Sequence, residues 1–135
     1  MQGFHNNDLT LLMSKHMIMK RITTIIILLL AVFSLFGQEI TGTWTGSLTF
    51  PGGELRINFN ISGTDEGYTS TLDSPDQNAY GIPVDSTLYK KSELTIKVAS
   101  IDLVYVGTLT ENNSIKGNLM QMGQTLELNL TKKEE

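Results

Sequence analysis

From Thr43 onward the sequence alternates apolar and polar residues in short runs broken by turn residues. Successive side chains of a strand point to opposite faces, so this period belongs to half-buried strands rather than amphipathic helices. Trp44, Gly46, Leu48 and Phe50 share one face of the first run, and Thr43, Thr45, Ser47 and Thr49 the other. Pro51-Gly52-Gly53 then turns the chain into Leu55, Ile57, Phe59 and Ile61, which alternate with Arg56, Asn58, Asn60 and Ser62. Two such runs across a short glycine-rich turn predict a hairpin.

The pattern continues to the end. Residues 63–67 form a turn, and Tyr68, Ser70 and Leu72 begin the next strand. The polar stretch from Ser74 to Ala79 carries Pro75 and interrupts the ladder. Further strands are expected over Ile82 to Tyr89, Leu94 to Val98 and Ile101 to Leu109, then from Ile115, and finally Leu126 to Leu130, with turns at Lys90-Lys91-Ser92, Glu111-Asn112-Asn113 and Gly123-Gln124. The charged tail from Lys132 is expected to fray. About eight strands, with turns roughly every 8 to 12 residues, predict an all-β domain: an eight-stranded antiparallel up-and-down barrel of lipocalin-like type, or a sandwich. Closure is attractive because it removes exposed edges.

The start of the chain has a different character. Lys20-Arg21 precede a nearly unbroken apolar run from Ile22 to Phe36, closed by the small residue Gly37. A basic start, an apolar stretch and a small terminal residue describe a secretory signal peptide over residues 19–37, helical before cleavage. The run is short for a spanning helix, which needs about 20 apolar residues, so a membrane is reached only through an uncleaved signal segment. Residues 1–18 lack periodicity and read as a misassigned or disordered extension, with Met19 as the start. The folded domain is then 38–135, in the periplasm or secreted.

This division limits the chemistry. Both histidines, His5 and His16, fall before the domain, and the chain has no cysteine. Disulfides, thiolate metal sites and His- or Cys-based nucleophiles are excluded from the domain. Without Lys15, Lys20, Arg21 and Asp8 the formal net charge moves from −4 to −6. No basic cluster offers itself to phosphates, so nucleic acid is not an expected partner.

Three stretches carry a resemblance. They are residues 42–48 (G-T-W-T-G-S-L), then D-S-P-D-Q at 73–77 with Y-G-I-P-V at 80–84, and G-N-L-M-Q-M-G at 117–123 ahead of Leu126-Glu127-Leu128. In this order they resemble the small N-terminal β-domain of secreted bacterial α/β-hydrolases of the esterase and peptidase type. The resemblance implies an accessory domain whose partner is an α/β-hydrolase catalytic domain. It does not imply the activity, since no G-x-S-x-G nucleophile elbow occurs in this sequence. Gly42-x-Trp44 is also similar to the motif that closes one end of lipocalin barrels, which would imply a carrier of a small apolar ligand.

The candidate binding residues are Asp73, Ser74, Asp76, Gln77, Tyr80 and Trp44. Two carboxylates, a hydroxyl and an amide in one polar loop suit a ligand, a cation or a partner domain; they equally suit a structural turn tied by side-chain hydrogen bonds. As such a turn, the loop would latch onto the barrel and close one end through Asp73 and Gln77. Ser74 as a nucleophile would need Lys90 or Lys91 as its base, and charged lysines in a turn do not serve. Met120 and Met122 lack the imidazole or thiolate that a copper site would add, and read as gap fillers or the cover of a barrel end. No cofactor and no catalytic residue is expected. The function predicted is that of a non-catalytic extracytoplasmic interaction module, with the lipocalin-like carrier as the alternative.

Overall fold

The computed structural model describes the backbone of residues 3–33 and 39–134, and the surroundings of side chains 8–30 and 39–134. The chain divides into two compact units, residues 1–39 and residues 40–135. The first holds one helix, α1 (Gly3–Phe33). Residues 3–18 belong to this helix although they show no period. Leu, Met and Lys are good helix formers, and no proline interrupts them. Thr23 and Thr24 donate their hydroxyls back to the Met19 and Lys20 carbonyls at 2.8 Å, which removes the polar cost of threonine on an apolar helix. Among the described residues no helix is long and apolar enough to cross a membrane. The expected processing point at Gly37-Gln38 lies outside the described residues.

The second unit is a closed antiparallel barrel. Its strands are β1 (Gly42–Phe50), β2 (Gly53–Thr64), β3 (Gly67–Ser74), β4 (Ala79–Pro83), β5 (Ser86–Lys90), β6 (Glu93–Val98), β7 (Leu103–Thr110), β8 (Ser114–Gln121), β9 (Gln124–Glu127) and β10 (Leu130–Lys132). Successive strands pair as in a meander, except that β5 pairs with β3 rather than β4 and β10 with β8 and β1 rather than β9, and the β10–β1 pairing closes the ring. Two of the eight staves are broken strands. β4 and β5 both lie on β3, and β9 and β10 both lie on β8.

The alternation seen in the sequence becomes an inside and an outside. Trp44, Phe59, Leu94, Ile96, Val98, Tyr105, Ile115 and Leu128 are wholly buried at the centre, with Leu103 and Leu119 nearly so. Phe59 and Tyr105 stack at 5.3 Å between ring centroids. The inward glycines leave no spare volume. Gly107 and Gly117 face each other across β7 and β8, and a methyl group on either would lie 2.6 Å from the Tyr105 hydroxyl. The Tyr105 side chain occupies the room those two glycines leave.

The break between β9 and β10 follows from this packing. Leu128 N–H keeps its ladder bond to the Gly117 carbonyl at 2.9 Å. Gly117 N–H instead donates to Asn129 Oδ1 at 3.3 Å, and the Leu128 carbonyl accepts the buried Tyr105 hydroxyl at 3.0 Å. The Asn129 carbonyl leans toward Gly46, where any Cβ would collide with it. Burial in apolar surroundings pushes the Tyr105 phenol well above the usual tyrosine range, so it stays a neutral donor.

Besides the helical residues 3–18 and the breaks in the expected strands Ile82 to Tyr89 and Leu126 to Leu130, three expectations change. Ile101 is placed by the alternation in the face of β7. It sits instead in a 3-10 turn (Ala99–Ile101) that ends with Asp102 in the left-handed region. The tail does not fray through Lys133. Lys132 pairs with Trp44, and Lys133 N–H donates to the Thr43 carbonyl at 2.8 Å. The last hairpin turns on Met122-Gly123, one residue earlier than expected, because Gln121 pairs with Gln124.

Candidate functional site

The two ends of the barrel are built differently. At one end the chain enters through Ile40, which is fully buried, and the Trp44 indole N–H donates to its carbonyl at 2.8 Å. Ile61, Leu94, Ile115 and Leu130 fill the space beneath. The Lys132 ammonium lies 5.8 Å from the centroid of the Trp44 ring. This end is sealed.

The other end is formed by the β1–β2 turn, the β3–β4 connection, the 3-10 turn before β7 and the β8–β9 turn. Here the apolar residues are only partly covered. Leu55, Ile82, Ile101 and Leu126 pack on the core but remain half-buried. Phe50 is 40% exposed, Tyr80 63% and Met122 78%. Met122 is also at φ 49°, in the left-handed region; Lys91 takes the same conformation at φ 51° in the β5–β6 turn, but its charged end suits water, whereas the Met122 side chain is apolar. A two-residue hairpin turn of this shape favours Asn or Gly there. The fold gains little from an exposed methionine in that place.

Five of the six residues singled out from sequence gather at this half-covered end. Asp73 closes β3 on its outer face. Its Oδ2 accepts from Asn60 Nδ2 at 2.9 Å and its Oδ1 from Gly81 N–H at 2.7 Å. Asn60 in turn donates to Thr71 Oγ1 and accepts from Thr43 Oγ1. Asp73 therefore ties β1, β2 and β4 to β3 from outside. Ser74 points inward, is buried, and donates its hydroxyl to Gln77 Oε1 at 2.9 Å. Asp76 sits in the 3-10 turn Pro75–Gln77 and reaches across to β2. It accepts from Arg56 N–H at 2.8 Å and pairs with the Arg56 guanidinium at 2.9 Å. Arg56 holds the Asp76 carboxyl below the usual carboxylate range, and Asp76 raises Arg56. Both groups face water, so the pair fixes geometry more than it adds stability. Tyr80 stands exposed on β4. Trp44, the sixth residue, lies in the sealed end, in a structural place.

The expected latch exists with different members. Asp76 makes the tie from the loop to the barrel, while Asp73 pins strands and Gln77 holds Ser74. Nothing in the local sequence announces Arg56 as the partner, since it lies twenty residues from Asp76. Phe50, Leu55, Ile82, Ile101 and Met122 were not among the residues singled out for binding. The signal available for Met122 was its place before Gly123 in a hairpin turn, where a large apolar residue is unusual.

β4 pairs with β3 alone, so its other edge faces a seam beside the 3-10 turn Ala99–Ile101. That edge offers little to an added strand. Pro83 has no N–H, Gly81 N–H is taken by Asp73, and Asp85 N–H donates to the Lys97 carbonyl at 2.9 Å. Asp85 Oδ2 accepts Ala99 N–H at 2.6 Å and draws the 3-10 turn to the seam, while Gln121 Nε2 reaches the Ile101 carbonyl at 3.0 Å from the other side. Among the described residues no group of three or more acidic or imidazole side chains is placed to hold a metal ion. No protein-family model matches the chain, and no curated protein matches it.

Proposed function

We propose that the barrel is a non-catalytic extracytoplasmic module that works by contact, through its half-covered end. The observation that carries this reading is Met122, a large apolar side chain held in an unfavourable backbone conformation and left in water. Strain that does not serve the fold is commonly retained for binding. Phe50 and Tyr80 on the same end add the residue types enriched in interface anchors. The absence of histidine and cysteine from residues 39–134 supports a non-catalytic role, as does the commitment of Ser74 to Gln77. The α/β-hydrolase domain suggested by the sequence resemblance is the partner proposed, and the apolar run 22–36 the export signal.

The test is site-specific photo-crosslinking in the producing cells, with the crosslinking residue at position 122 or, at the opposite end, at position 91. Contact through the half-covered end gives a discrete adduct from 122 and none from 91. Equal adducts from both, or none from 122, refute the reading. The purified chain should also leave a p-nitrophenyl ester unhydrolysed above the buffer rate; turnover would refute the non-catalytic role.

A second reading rests on the sealed Trp44 end, which gives the barrel a closed base and an apolar mouth. A lipocalin-like carrier would hold its apolar ligand at Leu55, Ile82, Ile101 and Leu126 rather than deeper, where Trp44, Phe59 and Tyr105 already fill the interior. An environment-sensitive apolar dye would then bind the wild-type chain and lose its signal on Ile82→Glu; a signal that survives this change rejects the carrier.

A further inference from the structure

We propose that the partner of the half-covered end presents an apolar contact ringed by lysine or arginine. This rests on the contact reading above and specifies its chemistry. The charges of the barrel are unevenly placed along its axis. Five basic residues, Lys90, Lys91, Lys116, Lys132 and Lys133, stand toward the sealed end, among Asp65, Glu66, Glu93, Glu111 and Glu134, with Glu127 midway along the barrel. That end is close to balanced. Toward the half-covered end stand Glu54, Asp73, Asp76, Asp85 and Asp102, against only Arg56 and Lys97.

Arg56 is already spent on Asp76. Asp73 and Asp85 bond to neutral donors, which orient a carboxylate without cancelling its charge. Glu54 and Asp102 are exposed and make no ion pair among the described residues. An apolar patch with an acidic surround repels an acidic partner and steers a basic one. The seam at β4 narrows the mode of docking. An added strand would meet Pro83 and a committed Gly81 N–H, so the partner is held by side chains, not by extension of the sheet.

The probes are short amphipathic helical peptides that share their leucines and carry lysine, glutamate or glutamine at every polar position. Each is titrated into the full chain, followed by fluorescence anisotropy and by amide chemical shifts. The lysine peptide is expected to bind, to shift the amides of Glu54, Asp102 and Met122, and to weaken with salt. The glutamate peptide should bind at least about tenfold more weakly, since like charges oppose docking. Met122→Asn, which keeps the charge, and Glu54→Lys with Asp102→Asn, which removes acidic charge while keeping a residue suited to the left-handed cap beside Ile101, should each weaken the lysine peptide about tenfold. Glu66→Lys with Glu111→Lys, at the sealed end, should leave it unchanged. Equal binding of the lysine and glutamate peptides overturns the proposal. So does a shift map centred on Lys91 and Asn112.

The cellular crosslink separates this proposal from its premise. An adduct at 122 that persists undiminished in the Glu54→Lys, Asp102→Asn chain sinks the charge requirement and leaves the contact reading standing. Loss of the adduct in the wild-type background sinks both.

Discussion

Replacing Tyr105 by phenylalanine tests the account of the barrel interior at one atom. The hydroxyl is buried and donates to the Leu128 carbonyl at 3.0 Å, and Gly117, the ladder partner of Leu128, sends its own N–H to Asn129. In the variant the buried carbonyl loses this donor. A buried acceptor left unsatisfied costs about 1–3 kcal/mol. For a domain of this size each kcal/mol moves Tm by about 4–8 °C. The pH dependence adds a second, independent check. Burial raises the Tyr105 pKa in the folded state, so the unfolded chain loses its proton first. The stability that the neutral phenol supports is intact below the ordinary tyrosine pKa and is lost as pH rises beyond it. At one pH unit above that value the wild type should have lost about 1.4 kcal/mol that the phenylalanine variant cannot lose. Urea unfolding of both chains, at neutral pH and at about one unit above the ordinary tyrosine pKa, should show a wide gap that narrows in alkali. Equal midpoints at neutral pH, or a gap that does not narrow, would refute the hydrogen bond and its burial.

Asp73→Ala with Gln77→Ala removes acceptors from Asn60, Gly81 and Ser74, and should lower stability by about 1–3 kcal/mol; an unchanged melting curve denies the tie. Gly46→Ala drives a methyl into the Asn129 carbonyl and the Leu128 side chain and should cost about 1–3 kcal/mol by overpacking, read in the same unfolding assay. Acidification below the lowered pKa of Asp76 should release the loop Pro75–Gln77 from β2, visible as amide shifts at Arg56 that Asp76→Asn reproduces at neutral pH.

The alternation from Trp44 to Leu130 made the staves, their faces and most of the core legible, because a strand's period is local. Closure was legible only as an alternative to a sandwich; it depends on β10 meeting β1, a contact between residues at opposite ends of the domain. The two breaks were not legible. The apolar pattern runs unbroken through Leu128, and only the inward glycines and Tyr105 explain why the ladder opens there. Asp85 and Asp102 look like ordinary surface residues until the fold places one against Ala99 and the other in a left-handed cap. The loop from Ser74 to Ala79 was legible because polar residues around a proline mark a loop. Arg56, Phe50 and Ile101 were missed because their part is assigned by neighbours on other strands.

On the function proposed above, Met122 is kept for contact at the expense of the fold. The most direct measurement takes two readings on wild type and Met122→Asn: the urea midpoint, and the yield of cellular adduct from a crosslinker at position 80 on the same end. Asn accepts the left-handed conformation, so stability should rise by roughly 0.5–1 kcal/mol while adduct yield falls. A variant that is no more stable, or one that is captured as well as wild type, would contradict the account.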